Sequence, residues 1–588
     1  MAGFRIVVFR EEDTRVSSIG FAPTGMAERQ VHTMAARNHR IDTAFNETTP
    51  NDNAIRAIGE SVVIIDGCVF NAESFVSKGK HEDFPGSAFR LLKDAQCKTN
   101  LNAFRGVFAG VVFDSDNRFW RGFTNHFGTH TLYYYHDKTV FIAATHIHYI
   151  TDALKDLGIG YSLDEDGACY MLAFNSMFES TTLIQGIHRL KGGCYFDLDT
   201  DRWVLNVETY YAADNATECK LSYRDILEQA GLLFRHAVFM GIERDRQAGK
   251  TSVFNLSDGL DCRATTFVAE DLGCKDKLIV NYSQSGSTQY SLPREIMAEL
   301  SGTLFQMPLD GGHYLMRHLD HWFENIGGII AYDPQGSPLF DILRVINWSK
   351  HGLHHNGYFG GEIFGCDLHG NTHTPPDVPK VKLAGLKGRI DPLMREIVKQ
   401  YPNEELFQLM SEGTNWNSKT PILHRAATCS DSPFLDPDFV NFLLSVPLHF
   451  KTRNNMRIDF LCTCCPKAAR TPYRKTRISL AKTKKLIDHN AFALTLIQNG
   501  VSCKKRLARM IPGHGDYGMD PAERWYKENQ TLRHWMDETY RTHIADLSPW
   551  PEIRHFAEET FVLSNSRKGI QYKLNVLSLL YAVKRFFA

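Results

Sequence analysis

The chain has 588 residues, enough for two or more domains with sizeable cores. With 43% hydrophobic residues, 23% charged residues and a net charge of -1, it carries no electrostatic footprint for nucleic acid or an anionic membrane surface. Its longest apolar runs fall short of a membrane span, its first residues show no signal-peptide pattern, and its 13 cysteines follow no repeating frame, so a cytoplasmic protein with reduced thiols is expected.

Residues 1–205 read as short strands separated by turns. Residues 5–10 (Arg-Ile-Val-Val-Phe-Arg), 61–65 (Ser-Val-Val-Ile-Ile) and 107–113 (Val-Phe-Ala-Gly-Val-Val-Phe) are examples, as are 132–135 and 140–144. Little helix is evident between them. A layered, β-rich domain is expected here.

From 206 onward helical patterns dominate, beginning with an amphipathic stretch at 221–235. Residues 252–256 then read as a buried strand, 257–263 as a tight turn (Ser-Asp-Gly-Leu-Asp-Cys-Arg) and 264–273 as a helix closed by glycine. A strand, a Ser/Gly turn and a helix N-terminus together make a phosphate site, because backbone N–H groups and the helix dipole converge on an anion. Asp261 within the turn suits a magnesium ion bridging phosphates. The neighbouring Gly249-Lys250-Thr251 resembles the end of a Walker A loop, but position 244 is Arg and the run precedes its strand.

A second buried strand is expected at 278–283, containing Tyr282, with a helix at 291–300. Alternating strands and helices imply a doubly wound parallel sheet over 206–588, with ligands at the carboxyl ends of its strands. Further along stand a glycine-dense loop at 357–365, a segment Ser432-Pro433-Phe434-Leu435-Asp436 with a helix after it, and a basic loop at 472–477. The thiol cluster Cys462, Cys464 and Cys465 and the histidines His351, His354 and His355 lack a second ligand pair at metal spacing, so no structural metal is expected. After about 485 the chain looks helical, and a lid, an oligomer contact and a partner surface all remain open for it.

These runs, in order, resemble the asparagine synthetase B-type superfamily. In the first half, residues 66–71 (Asp-Gly-Cys-Val-Phe-Asn), 105–114, 127–134 and 187–193 resemble segments of its glutamine amidotransferase domain. In the second, Ser257-x-Gly259-x-Asp261 resembles the pyrophosphate loop of the ATP pyrophosphatases, and 357–365, 432–436 and 472–477 resemble later segments of the synthetase domain. The resemblance implies an Ntn-type glutaminase-like domain over 1–205 and an ATP-pyrophosphatase synthetase domain over 206–588. The glutaminase parts do not carry over. Position 2 is Ala instead of the nucleophilic Cys, and Asp66 replaces the oxyanion-hole Asn, where a carboxylate repels developing negative charge.

What the resemblance implies for the second half is an ATP- and magnesium-dependent amide ligase. Leu256, Ser257, Gly259, Leu260, Asp261, Cys262, Tyr282 and Gly357 would hold the nucleotide, with Arg474 and Arg477 beside it. Asp261 and Glu362 would hold magnesium, since the family's second Asp aligns with Gly361. Lys475 would neutralise charge on phosphate and acyl adenylate. Tyr358 stands where β-lactam and carbapenam synthetases have Tyr, with Glu412 the nearest downstream carboxylate to complete a base. The substrate would be a small molecule or peptide bearing a carboxylate and an amine, as for β-lactam synthetases or lasso-peptide cyclases, with a homo-oligomer or a pathway protein as a possible partner. Ammonia-dependent asparagine synthesis and a catalytically silent interaction subunit stay open, the latter because Asp258 replaces a family Gly in the loop.

Overall fold

The computed structural model describes residues 3–23, 30–45, 54–76, 83–366, 368, 375–381, 383–417, 419–451, 455–509, 518–562 and 569–587. Twelve strands come first: β1 (Gly3–Phe9), β2 (Gln30–Ala35), β3 (His39–Phe45), β4 (Ala54–Ile58), β5 (Ser61–Val69), β6 (Gly106–Asp114), β7 (Phe119–Thr124), β8 (Tyr133–His136), β9 (Val140–Ala144), β10 (Ile187–Arg189), β11 (Cys194–Asp199) and β12 (Val204–Thr209). They form two six-stranded antiparallel sheets, ordered β10-β8-β9-β1-β3-β2 and β12-β11-β7-β6-β5-β4.

Strand alternation decides the layers. Phe4, Ile6 and Val8 of β1 meet Val62 and Ile64 of β5 between the sheets. The odd-numbered neighbours Val7 and Phe9 face a helical layer instead, and Val63 and Ile65 face the helices Phe84–Lys93 and Cys97–Ala103. Both faces of β1 and β5 are therefore covered, which is why these strands are apolar at nearly every position. The expectation of little helix fails here. Helices occupy 84–93, 97–103, 147–156 and 165–174. Each spans only two or three turns, too few repeats for a 3.6-residue period to stand out among strands.

The second half holds a five-stranded sheet of parallel pairs, ordered β15-β14-β13-β16-β17, from β13 (Thr251–Asn255), β14 (Lys277–Ser283), β15 (Thr303–Pro308), β16 (His351–His355) and β17 (Ser430–Asp431). The central strand, β13, delivers the Ser257–Asp261 turn to the carboxyl edge of the sheet. The helix after the turn begins at Leu260, four residues earlier than the pattern suggests, because Gly259 already serves as its N-cap. The helix expected at 291–300 runs Thr288–Ile296, capped by Ser287, and ends in one 3-10 turn.

The C-terminal helix Gly569–Phe587 is buried along most of its length. It joins the halves: Asn575 Nδ2 donates to Leu172 O (3.1 Å), Tyr161 OH donates to Phe586 O (2.8 Å), and Tyr332 N donates to Ser578 Oγ (2.7 Å). One apolar core runs continuously through these contacts, from Val7 of β1 to Phe586. Among the described residues no helix is long and apolar enough to cross a membrane.

Candidate functional site

The turn after β13 is closed from within. Ser257 Oγ accepts from Gly259 N at 3.1 Å. The loop bearing Gly357 and Gly360 lies directly against it: a Cβ on Gly357 would come within 2.3 Å of Cys262 N, and one on Gly360 within 2.5 Å of the Asp261 carboxyl carbon. Only glycine permits that approach. Between them Phe359 is buried with φ 73°, a strained backbone of the kind that tight functional loops hold. Tyr282, on β14, is partly buried, and burial raises its phenol.

The basic loop is tied to the same helix. Arg263, fully buried, donates to Thr471 Oγ1 (2.9 Å) and Pro472 O (3.0 Å). This brings Arg474 beside the turn, with Lys475 next to it near Arg457 and Cys366. Burial, then Arg474 and Arg457, push the Lys475 amine below its ordinary range. Arg477 adopts a left-handed backbone (φ 62°) and turns to Glu295 at 3.1 Å. Asp258, which sequence reading marks as a misfit, is buried and turned sideways. Its carboxylate accepts from Thr288 Oγ1 at 3.1 Å and faces Arg474 Nη1 at 3.6 Å.

Asp261 has a partner that sequence reasoning missed. Arg457, on the helix Asn455–Cys464, donates from Nε to Oδ1 at 2.7 Å and from Nη2 to Oδ2, a two-pronged pair. Arg457 Nη1 also reaches Cys366 Sγ at 3.5 Å. Burial raises the Asp261 carboxyl, with the guanidinium pulling the other way. The only sequence signal was one cation between the buried Met456 and Ile458. The residues present do not fit a magnesium ion. Both Asp261 oxygens are engaged, Gly361 supplies no carboxylate, and Glu362 lies beside Gly413. Among the described residues no three His, Cys, Asp or Glu side chains come together as a metal site.

Tyr358 lines a cleft between the halves. Asp431, Asp436, Arg105, Asn125 and Thr129 line it too. Burial raises the Tyr358 phenol, with Ser430 and Asp431 beside it. Asp431 leads into a buried chain: its Oδ2 lies 3.0 Å from His355 Nδ1, and His355 Nε2 lies 2.9 Å from Asp245 Oδ2. Against burial, these two carboxylates raise the imidazole to about 9. The Glu412 side chain lies outside the described residues; its backbone is part of the π-helical turn Gln408–Gly413.

In the first half of the chain, Asp66 is buried on β5. Its Oδ2 lies 3.0 Å from His130 Nε2 and 3.1 Å from Arg425 Nη2, which comes from the other half of the chain. Arg425 also donates to Thr131 Oγ1 (2.8 Å) and Thr145 O (3.3 Å). Burial alone would raise the Asp66 carboxyl; His130 and Arg425 together hold it below the ordinary carboxylate range. Burial and Arg425 push the His130 imidazole down.

Residues 46–152 match the family model described as a glutamine amidotransferase domain. Among solved structures, the chain is similar to the glutamine phosphoribosylpyrophosphate amidotransferase from B. subtilis complexed with ADP and GMP, at 11% identity and a TM-score of 0.25. That match covers 43% of this chain and 60% of the other. A structure titled as the allosteric regulatory enzyme of purine biosynthesis matches at 10% identity and a TM-score of 0.23, over 43% of this chain and 54% of the other. The chain therefore spans less than two thirds of either, and likenesses this distant assign no activity. No curated protein matches the chain.

Proposed function

We propose that the chain is an ATP-using carbon–nitrogen ligase of the asparagine synthetase type whose amidotransferase-like domain no longer hydrolyses glutamine. The observation that carries this reading is the Ser257–Asp261 turn. It sits at the carboxyl end of the central parallel strand, opens a 12-residue helix and has Arg474 beside it, with Lys475 adjacent to Arg474. The amidotransferase match on the other half supports the same class of chemistry.

In this reading the turn holds the β- and γ-phosphates of ATP. A substrate carboxylate oxygen attacks the α-phosphorus, and pyrophosphate leaves. Lys475 and Arg474 offset the negative charge that accumulates. An amine then attacks the acyl carbon of the mixed anhydride, the C–O bond to AMP breaks, and the nitrogen gives up a proton. Asp261 enters no step as a metal ligand, because Arg457 already holds it. With a charge-compensated Asp66 at the position where the resemblance puts an oxyanion-hole Asn, this reading has no ammonia made in place. The amine comes from solution or from the substrate, and an internal amine would close a ring, with the effective-molarity advantage of a tethered nucleophile.

A silent interaction subunit is the second reading, favoured by the occupied Asp261. Pyrophosphate–ATP exchange separates the two. The ligase shows exchange that depends on one class of carboxylic acid, and releases no glutamate from glutamine. Folded protein that binds no ATP by calorimetry would establish the silent subunit instead.

A further inference from the structure

Arg457 does more than block a metal. Its fork spans both oxygens of Asp261, the geometry in which a guanidinium binds a carboxylate most specifically. A magnesium ion would need those oxygens at about 2.0–2.1 Å and would have to displace both donors. The arginine is well anchored, since Met456, Ile458, Phe460 and Leu461 of its helix are buried. Asp261 and Arg457 each keep 19% of their side-chain surface exposed, so the pair borders the open turn and is not sealed beneath it.

The charge around the turn is consistent with this substitution. Arg457 holds the Asp261 carboxylate and Arg474 faces that of Asp258, while Arg263, which reaches the Asp258 backbone carbonyl, and Lys475, near Arg474 and Arg457, add two further cations. The surroundings are thus net positive before any ion is added. A divalent cation normally supplies that charge to a polyphosphate; here side chains do.

We infer that the turn binds polyphosphate without a divalent cation, with Arg457 in the place of the metal. This rests on the nucleotide reading above. Titration calorimetry of the full chain with ATP, and with inorganic pyrophosphate, in magnesium chloride and in EDTA tests it. The expected result is binding in EDTA within about threefold of that in magnesium. In Arg457→Gln, Asp261 is released, and binding becomes magnesium-dependent by about tenfold or more. Circular dichroism would establish that this variant is folded. Manganese provides a reading independent of affinity. By electron paramagnetic resonance, wild-type protein with ATP should hold no more Mn²⁺ than ATP alone, whereas Arg457→Gln should hold more. Wild-type binding that requires magnesium overturns the inference and leaves the ligase reading standing. Absence of binding in both buffers overturns both.

Discussion

Two carboxylates, Asp66 and Asp261, are each held by an arginine from a distant part of the chain, yet the two pairs are built differently. Asp66 and Arg425 are each 3% exposed, and two threonine oxygens share the guanidinium. Asp261 and Arg457 are each 19% exposed and border the turn. A sealed pair behaves as a weld. Its charges have no water to fall back on, so neither partner can be removed alone. A pair at the rim can exchange one partner for a ligand at modest cost. The resemblance implies chemistry at both positions; the surroundings seal the first and leave the second partly open to water.

The largest expected effect tests the weld. Arg425→Met leaves the buried Asp66 with His130 as its remaining partner, at a cost of about 3–5 kcal/mol. Adding Asp66→Asn should recover most of that loss, because the uncompensated charge is then gone. Arg457→Gln should cost less than Arg425→Met, since part of that pair's surface is open to water. Denaturant midpoints of the four proteins measure all of this. Equal losses in Arg425→Met and Arg457→Gln would erase the distinction.

A third buried ion cluster sharpens the comparison through pH. His355, between Asp245 and Asp431, has its imidazole raised to about 9 from an ordinary value of 6.5. A raised folded value contributes stability that is fully present below pH 6.5 and is lost as pH rises through about 9. The difference corresponds to a few kcal/mol, on the order of 3. The denaturation midpoint should therefore fall between pH 6.5 and 9, and the slope should flatten in His355→Gln. A wild-type midpoint flat across that window would show that the imidazole is neutral and the chain Asp245–His355–Asp431 is not an ion triplet.

What the sequence disclosed follows the range of each interaction. Strands β13 and β14 were legible to within one residue, because a buried parallel strand announces itself by a local apolar run. The Ser257–Asp261 turn was legible for the same reason. Its serine, glycine and acid lie within five positions. Arg425 and Arg457 were not. They meet their carboxylates across 359 and 196 residues, and no spacing encodes such a contact. Asp66 was seen as an oxyanion-hole position lost, without the cation that makes a buried aspartate tolerable there. The terminal helix could be read as a helix but not given a role, because an apolar face does not say which surface covers it. That surface is built from both halves, through Leu172 and Tyr332.

The smallest expected effect belongs to Asp258, the residue that departs most plainly from the family's loop. Asp258→Gly removes one carboxylate from the turn and frees Arg474, whose side chain is 46% exposed and can follow an incoming anion. Pyrophosphate affinity should rise by a few-fold, about 0.5–1 kcal/mol, the scale of one exposed charge interaction. Stability should fall by about as much, from the added backbone freedom of glycine. The opposite result carries information too. Asp258 accepts from Thr288 and faces Arg474, so it fixes both side chains at the mouth of the turn. Lower affinity in Asp258→Gly would mean that this fixing outweighs the repulsion. The loop would then depend on a pre-aimed Arg474 where the family depends on a bare glycine backbone.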